Sequence, residues 1–241
     1  MSKESKMRFS RKTGATNAFI ILLLIVAWVM VCMEETATVI NTLNGNPIYK
    51  GDGSKKEVAL TVNVVWGDEY LDDILNILAR ENVKATFFIG GKWAENSSDL
   101  LLKIAADGHE IGSHSYNHEH MEQLSYEQTV DAIKKTADVI FSICGVTPTL
   151  FAPPYGEFDD TTLKAARDLG CKTIMWSVDT IDWRGDGVSA ILDRIRTKCH
   201  DGAIILSHPT ADTVAALPEI ISIVRNSGRS FVTVGQMQGV A

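Results

Sequence analysis

From Val58 onward, short apolar runs alternate with amphipathic stretches, and this alternation restricts the fold more than any other feature of the chain. The runs 58–66 (VALTVNVVW), 84–90 (KATFFIG), 109–113, 172–176 (KTIMW), 203–209 and 229–234 read as strands. Most are apolar at successive positions, a pattern that suits a strand covered on both faces. Between them, 70–80 places Leu71, Ile74, Leu75 and Leu78 at helical spacing, and 98–106 is helical and closes at Gly108. Ser125 and Gln128 form a capping box that opens a long helix to Ile143, stopped by Gly145 and Pro148. Further helices are expected at 161–169, 188–198 and 213–226. Strand–helix alternation of this kind implies a parallel sheet covered by helices. About seven such units form one domain that can close into a small barrel. No internal repeat or low-complexity tract interrupts it.

The N-terminal quarter has a different character. Residues 1–17 are basic and polar, and 18–33 are uninterruptedly apolar before Glu34 and Glu35. Sixteen apolar residues fall just short of the roughly 20 that span a bilayer, a gap that flanking residues and tilt make up. The basic side precedes the run, so the expected arrangement is a single-pass anchor at the cell membrane with the C-terminal domain extracytoplasmic. Secretion after cleavage of a signal peptide is the alternative, with Thr36-Ala37-Thr38 a weak cleavage site. Residues 34–56, with Asn44-Gly45-Asn46-Pro47 and Gly51-Asp52-Gly53-Ser54, read as a linker. The folded domain is expected at 57–241.

Charge narrows the partners. The net charge is −7, yet the first 33 residues are +4 (Lys3, Lys6, Arg8, Arg11 and Lys12 against Glu4), which leaves −11 for the rest. An acidic body excludes nucleic acid as a partner. Cys32, Cys144, Cys171 and Cys199 show neither C-x-x-C spacing nor the density of a disulfide scaffold, so free thiols are expected.

In parallel α/β folds, working residues sit at the C-terminal ends of strands. Here those ends carry Asn63 to Trp66, His114 with His118, Pro153-Pro154-Tyr155, Asp179 with Asp182-Trp183, and Ser207-His208. His114 and His118 stand four residues apart, so their imidazoles can converge on one metal ion. A catalytic zinc site takes a third protein ligand, and the spacing alone equally allows two histidines that close a strand and bond to the backbone.

Five ordered segments then carry a resemblance: KATFFI (84–89), GHEIGSHSYNH (108–118), PPYG (153–156), DTIDW (179–183) and ILSH (205–208). Their order resembles the polysaccharide deacetylase family, the NodB-homology carbohydrate esterases, from about Val58 to the C-terminus. The resemblance implies an α/β fold, a distorted (β/α)7 barrel of the polysaccharide deacetylase type, preceded here by the N-terminal transmembrane helix. It also implies hydrolysis of the acetamide C–N bond of N-acetylated sugars, with cell-wall peptidoglycan the expected glycan partner and a divalent metal, zinc the expected ion, as cofactor. By the same resemblance, His114 and His118 are the metal pair, His208 the general acid, Asp182 its carboxylate partner and Tyr155 the oxyanion donor. Trp183, Leu206 and Pro154 line the substrate pocket. The stretch Val62–Tyr70 further resembles a divergent branch found in spore-forming bacteria, which implies an envelope or sporulation role.

Two motifs depart from the family. The first reads Thr-Phe-Asp-Asp-Gly in the family and Thr61-Val62-Asn63-Val64-Val65-Trp66-Gly67 here. Asn63 thus takes the place of the base and Val64 that of the third metal ligand. Ala152 replaces the arginine that pairs with the base, a coherent loss because a buried guanidinium without its carboxylate is costly. Asp68 and Glu69 are the substitute ligands nearest the lost one, although acids there also suit a helix start. Glu119, His120 and Asp182 are more remote substitutes. Two functions follow: a deacetylase with a modified metal site, or an inactive member that binds glycan or an envelope protein.

Overall fold

The computed structural model describes residues 20–29 and 45–239. Residues 20–29 form helix α1, whose apolar side chains from Ile20 to Val29 are uncovered. The rest of the expected 18–33 span, the basic segment and residues 34–44 lie outside the described residues. Among the described residues no helix is long and apolar enough to cross a membrane. The chain divides between Asn46 and Pro47 into two units, and the second holds the sheet.

The sheet begins with β1 (Glu57–Val64), which pairs in parallel with β2 (Thr86–Ile89) on one side and β7 (Ala203–Ser207) on the other. Parallel pairing continues through β3 (Glu110–Ser113), β4 (Leu150–Phe151) and β5 (Lys172–Thr173) in one direction, and to β6 (Val178–Asp179) in the other. The order is β5-β4-β3-β2-β1-β7-β6, with β8 (Ser230–Phe231) added to the start of β1. This is a parallel α/β half-barrel, consistent with the expected distorted (β/α)7 type. Residues 174–177 lead from β5 to β6, with Ser177 N–H donating to the Ile204 carbonyl at 3.1 Å.

Strand alternation sorts side chains into two apolar layers. Val58, Leu60, Val62 and Val64 of β1 join the cluster shared with the helices. Ala59 joins Phe88, Leu150, Ala152, Ile174 and Ile204 in a second cluster. Both faces of β1 are buried, which explains its apolar run.

The outer layer is covered by helices α2 (Asp68–Arg80), α3 (Gly91–Asn96), α4 (Ser98–Ala106), α5 (Tyr126–Cys144), α6 (Asp160–Asp168), α7 (Val188–Lys198) and α8 (Ala211–Asn226). The short α9 (Val234–Met237) instead buries Val234 and Met237 in the second cluster. The capping box at Ser125 and Gln128 forms as expected, and α5 ends at Gly145 with φ 73°. Four details differ from expectation. Residues 48–51 of the expected linker belong to the fold: Ile48 bridges Ile174, Lys50 bridges Ala203, and Gly51 N–H donates to the Gly202 carbonyl at 2.8 Å. The expected strand 172–176 is regular only at Lys172–Thr173. The expected strand 229–234 is Ser230–Phe231, after which Thr233 caps α9. Finally, Gly91–Asn96 is helical. Cys144, Cys171 and Cys199 are free thiols.

Candidate functional site

The strand ends bring together one cluster of rings and carboxylates. His114 follows β3 and is buried, 2% exposed. Its N–H donates to the Ile89 carbonyl at 2.9 Å, and its Nδ1 lies 2.7 Å from the Ala152 carbonyl. A carbonyl only accepts, so Nδ1 carries the proton and Nε2 keeps its lone pair. Burial pushes this imidazole down to about 3, and the neighbouring His118 and His208 push the same way. His118 sits in the left-handed region with φ 57°, on a loop held by Glu119. The Glu119 carboxylate accepts from the Asn117 N–H at 3.0 Å and from the Ser115 hydroxyl. The His114 and His118 rings are 5.0 Å apart. Burial and the neighbouring His208 lower the His118 pKa as well.

Across the site, Asp182 lies on a short 3-10 turn after β6 and is fully covered. Its Oδ1 is 2.8 Å from His208 Nδ1, and its Oδ2 accepts from the His208 backbone N–H at 2.6 Å and the Thr213 hydroxyl at 2.5 Å. Burial alone would raise this carboxyl. The bonds and charge of His208, with the Thr213 bond, outweigh burial and hold it below the usual carboxylate range. The turn is entered through Ile181 at φ 52°, unfavourable for a β-branched residue. Asp179 holds Ile181 there by accepting its N–H at 2.8 Å.

Tyr155 tops the 3-10 turn after β4, at φ 58° and 55% exposed. Its ring meets His118 edge-on at 4.4 Å and lies flat against His120 at 4.2 Å. His120 is anchored in turn, its Nδ1 2.7 Å from Glu157. Of the expected pocket walls, Leu206 and Pro154 are buried and Trp183 is exposed.

The degenerate positions are equally specific. Asn63 is 4% exposed, and among the described residues its Oδ1 has no hydrogen-bond partner. Val64 is fully buried in the apolar cluster between sheet and helices, and Ala152 is buried in the second cluster. Asp68 is committed elsewhere: it accepts from Trp93 Nε1 at 2.5 Å and from the Ser97 hydroxyl at 2.5 Å. Glu69 is exposed on the first turn of α2. Among the described residues no group of three His, Cys, Asp or Glu side chains is placed to hold a metal. The donors therefore do not fit the three-ligand site that the family chemistry requires. His114 and His118 bring two imidazoles together, and Val64, where the resemblance places a third ligand, is hydrocarbon.

Several residues take part whose role no local pattern announces. Trp66 stands with its ring plane 7° from that of His208 at 6.1 Å, and is 43% exposed. Thr213 completes the shell of Asp182; its only sequence signal was the Thr210-x-x-Thr213 start of α8, where the Thr213 N–H caps onto the Thr210 hydroxyl. Trp93 and Ser97 capture Asp68, a pairing that local spacing does not show.

The fold, the strand-end histidines and the Asp182–His208 pair define a protein of the carbohydrate esterase type. The polysaccharide deacetylase family model matches residues 50–174, and the chain belongs to that family. It is 42% identical to the uncharacterized protein YlxY of Bacillus subtilis, over 82% of this chain and 62% of that one. It is 34% identical to a peptidoglycan-N-acetylglucosamine deacetylase of Bacillus cereus, over 78% of this chain and 70% of the relative. Among solved structures it is similar to wild-type BA3943, a CE4 family pseudoenzyme from Bacillus anthracis. The TM-score is 0.79 at 40% identity, covering 80% of this chain and 69% of that one. A mutant of the same pseudoenzyme, described as having restored enzymatic activity, matches with a TM-score of 0.79 at 39% identity.

Proposed function

We propose that this chain is an envelope protein that binds N-acetylated cell-wall glycan, peptidoglycan above all, in a deacetylase groove that no longer hydrolyses it. The observation that carries the reading is Asn63: a buried amide, its oxygen without a partner among the described residues, stands where the family places its base. Hydrolysis of an acetamide needs a group that takes a proton from water, and an amide has no useful basicity near neutral pH. Base assistance alone is worth about 10²–10⁴ in rate. Val64 adds a second loss, because a hydrocarbon side chain cannot complete the metal shell. The kinship with a CE4 pseudoenzyme supports the same reading.

The retained half of the site supports binding. Neutral His114 and His118, the Asp182-bound His208 and the exposed rings of Tyr155 and Trp183 present donors and aromatic faces to a polar, acylated ring. Asp182 fixes His208 with its Nδ1 proton toward the carboxylate, so Nε2 is the nitrogen left for a ligand. Residues 18–33 anchor the protein in the membrane, with the domain on the outer face.

The test compares binding of N-acetylated peptidoglycan oligosaccharides with acetate release. The wild-type chain is expected to bind them without releasing acetate, and Asn63→Asp/Val64→Asp/Ala152→Arg to release it. Acetate release by the wild type that disappears in His114→Ala would overturn the proposal and establish the modified-site deacetylase instead.

A further inference from the structure

The strands run parallel, so their N-terminal ends form a second face, opposite the end that carries the histidines. Three segments meet on it. Gly51 N–H donates to the Gly202 carbonyl at 2.8 Å, and Gly202 N–H donates to the Glu57 carbonyl at 2.8 Å. Ser230 N–H donates to the Lys56 carbonyl at 2.9 Å, and Arg229 Nε donates to Asp201 at 2.6 Å. Residues 50–57, 198–202 and 228–230 therefore share one surface.

That surface is basic in an acidic domain. Lys50, Lys55, Lys56 and Lys198 are exposed on it. Among the described residues the side chains of Lys50, Lys56 and Lys198 make no hydrogen bond or ion pair, and Lys55 feels the charge of Asp52. Two of the three carboxylates present are engaged: Asp201 holds Arg229, and Asp52 accepts from the Ser54 N–H at 2.8 Å. Glu57, half-buried at the start of β1, is the third. Five lysines and arginines against three carboxylates give these segments a net +2, in a body whose net charge beyond residue 33 is −11. The opposite end carries Asp68, Glu69, Glu119, Glu122, Glu157 and Asp179 against Lys92 and Arg184. Tyr49, next to Lys50, is 45% exposed, an amphipathic ring of the kind that settles at the level of lipid headgroups.

The chain enters the domain on this same face. Ile48 bridges Ile174 and Lys50 bridges Ala203, and thirteen residues separate Pro47 from the apolar run that ends at Met33. A chain of that length spans at most about 45 Å. Lysines next to anionic headgroups each strengthen association about fivefold. We propose that this face is a docking surface for anionic phospholipid headgroups, which seats the domain on the bilayer and turns His114, His118 and His208 away from it. The proposal rests on the membrane-anchored reading above and extends it by an orientation. A free domain of net negative charge would be repelled by such a bilayer; the basic face selects the one approach that is attractive.

The experiment reconstitutes the full-length chain into bilayer discs of phosphatidylcholine, with or without phosphatidylglycerol, and follows lysine acylation by mass spectrometry. Lys50, Lys55, Lys56 and Lys198 are expected to react at least about fivefold more slowly in the anionic discs, with Lys92 and Lys134 unchanged. The difference disappears at about 1 M salt, where the screening length falls to about 3 Å. Lys55→Glu/Lys56→Glu, at exposed side chains, removes the protection of Lys50 and Lys198, and Lys55→Arg/Lys56→Arg keeps it. Equal rates in both kinds of disc, protection that covers Lys92 and Lys134 equally, or protection that survives Lys55→Glu/Lys56→Glu overturns the docking while the anchor stands. Protection that appears only on adding soluble polyphosphate assigns the face to an anionic polymer and overturns the lipid assignment. A chain that neither kind of disc retains removes the anchor and the docking together.

Discussion

Asp182→Ala tests whether the retained half of the site is a structural element in its own right. The carboxylate has no solvent exposure and accepts three bonds, two from His208 and one from Thr213. Truncation leaves three buried or half-buried donors without an acceptor. Bonds to a charged group contribute about 1.5–3 kcal/mol each, and the released desolvation penalty of the carboxylate offsets part of that sum. Breaking a buried ionic arrangement by removing one partner typically costs about 3–5 kcal/mol, so a loss of about 3 kcal/mol is expected near neutral pH. Urea unfolding followed by tryptophan fluorescence, with m unchanged, reads it. Thr213→Val is expected to cost about 1 kcal/mol in the wild type and much less beside Asp182→Ala, because the two share a bond. The folded carboxyl is held below its ordinary value, so its contribution is complete above about pH 4 and fades as pH falls through the folded value; wild type and variant should converge in acid. A loss below about 1 kcal/mol, or equal costs of Thr213→Val in both backgrounds, would mean that the buried carboxylate does not hold this part of the fold.

Two further predictions concern the frame around the site. Gly67→Ala forces a side chain into φ 84° and against the Pro209 carbonyl; a stability loss of about 2 kcal/mol or more is expected in the same unfolding assay, and a neutral result would contradict the packing described. His109, whose Nδ1 accepts from the Ala85 N–H at 3.2 Å, is pushed down to about 4, by burial first and then by the nearby Lys84. The unfolded chain therefore takes up its proton before the folded one as pH falls. Its contribution is complete above about pH 6.5 and is lost progressively toward pH 4, with a slope of about 1.4 kcal/mol per pH unit. His109→Gln should reduce the acid-side slope by one proton, and an unchanged slope would contradict the assignment.

Much of this architecture was legible in the sequence, for local reasons. β1, α2 and α5 are long enough for apolar periodicity and capping residues to declare them. The two-residue strands β4, β5, β6 and β8 are defined by their neighbours in the sheet, and no local run of that length specifies them. Helix α3 was hidden because six residues after the strand run 84–90 are too few to show helical periodicity, and Gly90 in extended conformation leads straight into it. Asp68 illustrates the limit for the site. Acidic residues at a helix start have a local explanation, and only folding reveals that Trp93 and Ser97 take both oxygens. Trp66 is a similar case: its apolar neighbours make it look like the end of a strand, and its relation to His208 exists only across the sheet. The motif substitutions at Asn63, Val64 and Ala152, by contrast, could be read directly, because each removes a functional group that no backbone geometry replaces.

A chain that keeps two histidines of a metal site without the third ligand should not hold zinc tightly. Calorimetric titration of zinc into the wild-type chain, beside His114→Ala, His118→Ala and the Asn63→Asp/Val64→Asp/Ala152→Arg variant, measures this. No tight one-to-one site is expected in the wild type, and one is expected to appear in the restored variant. Tight one-to-one binding by the wild type that needs both His114 and His118 would mean that a third ligand is present after all.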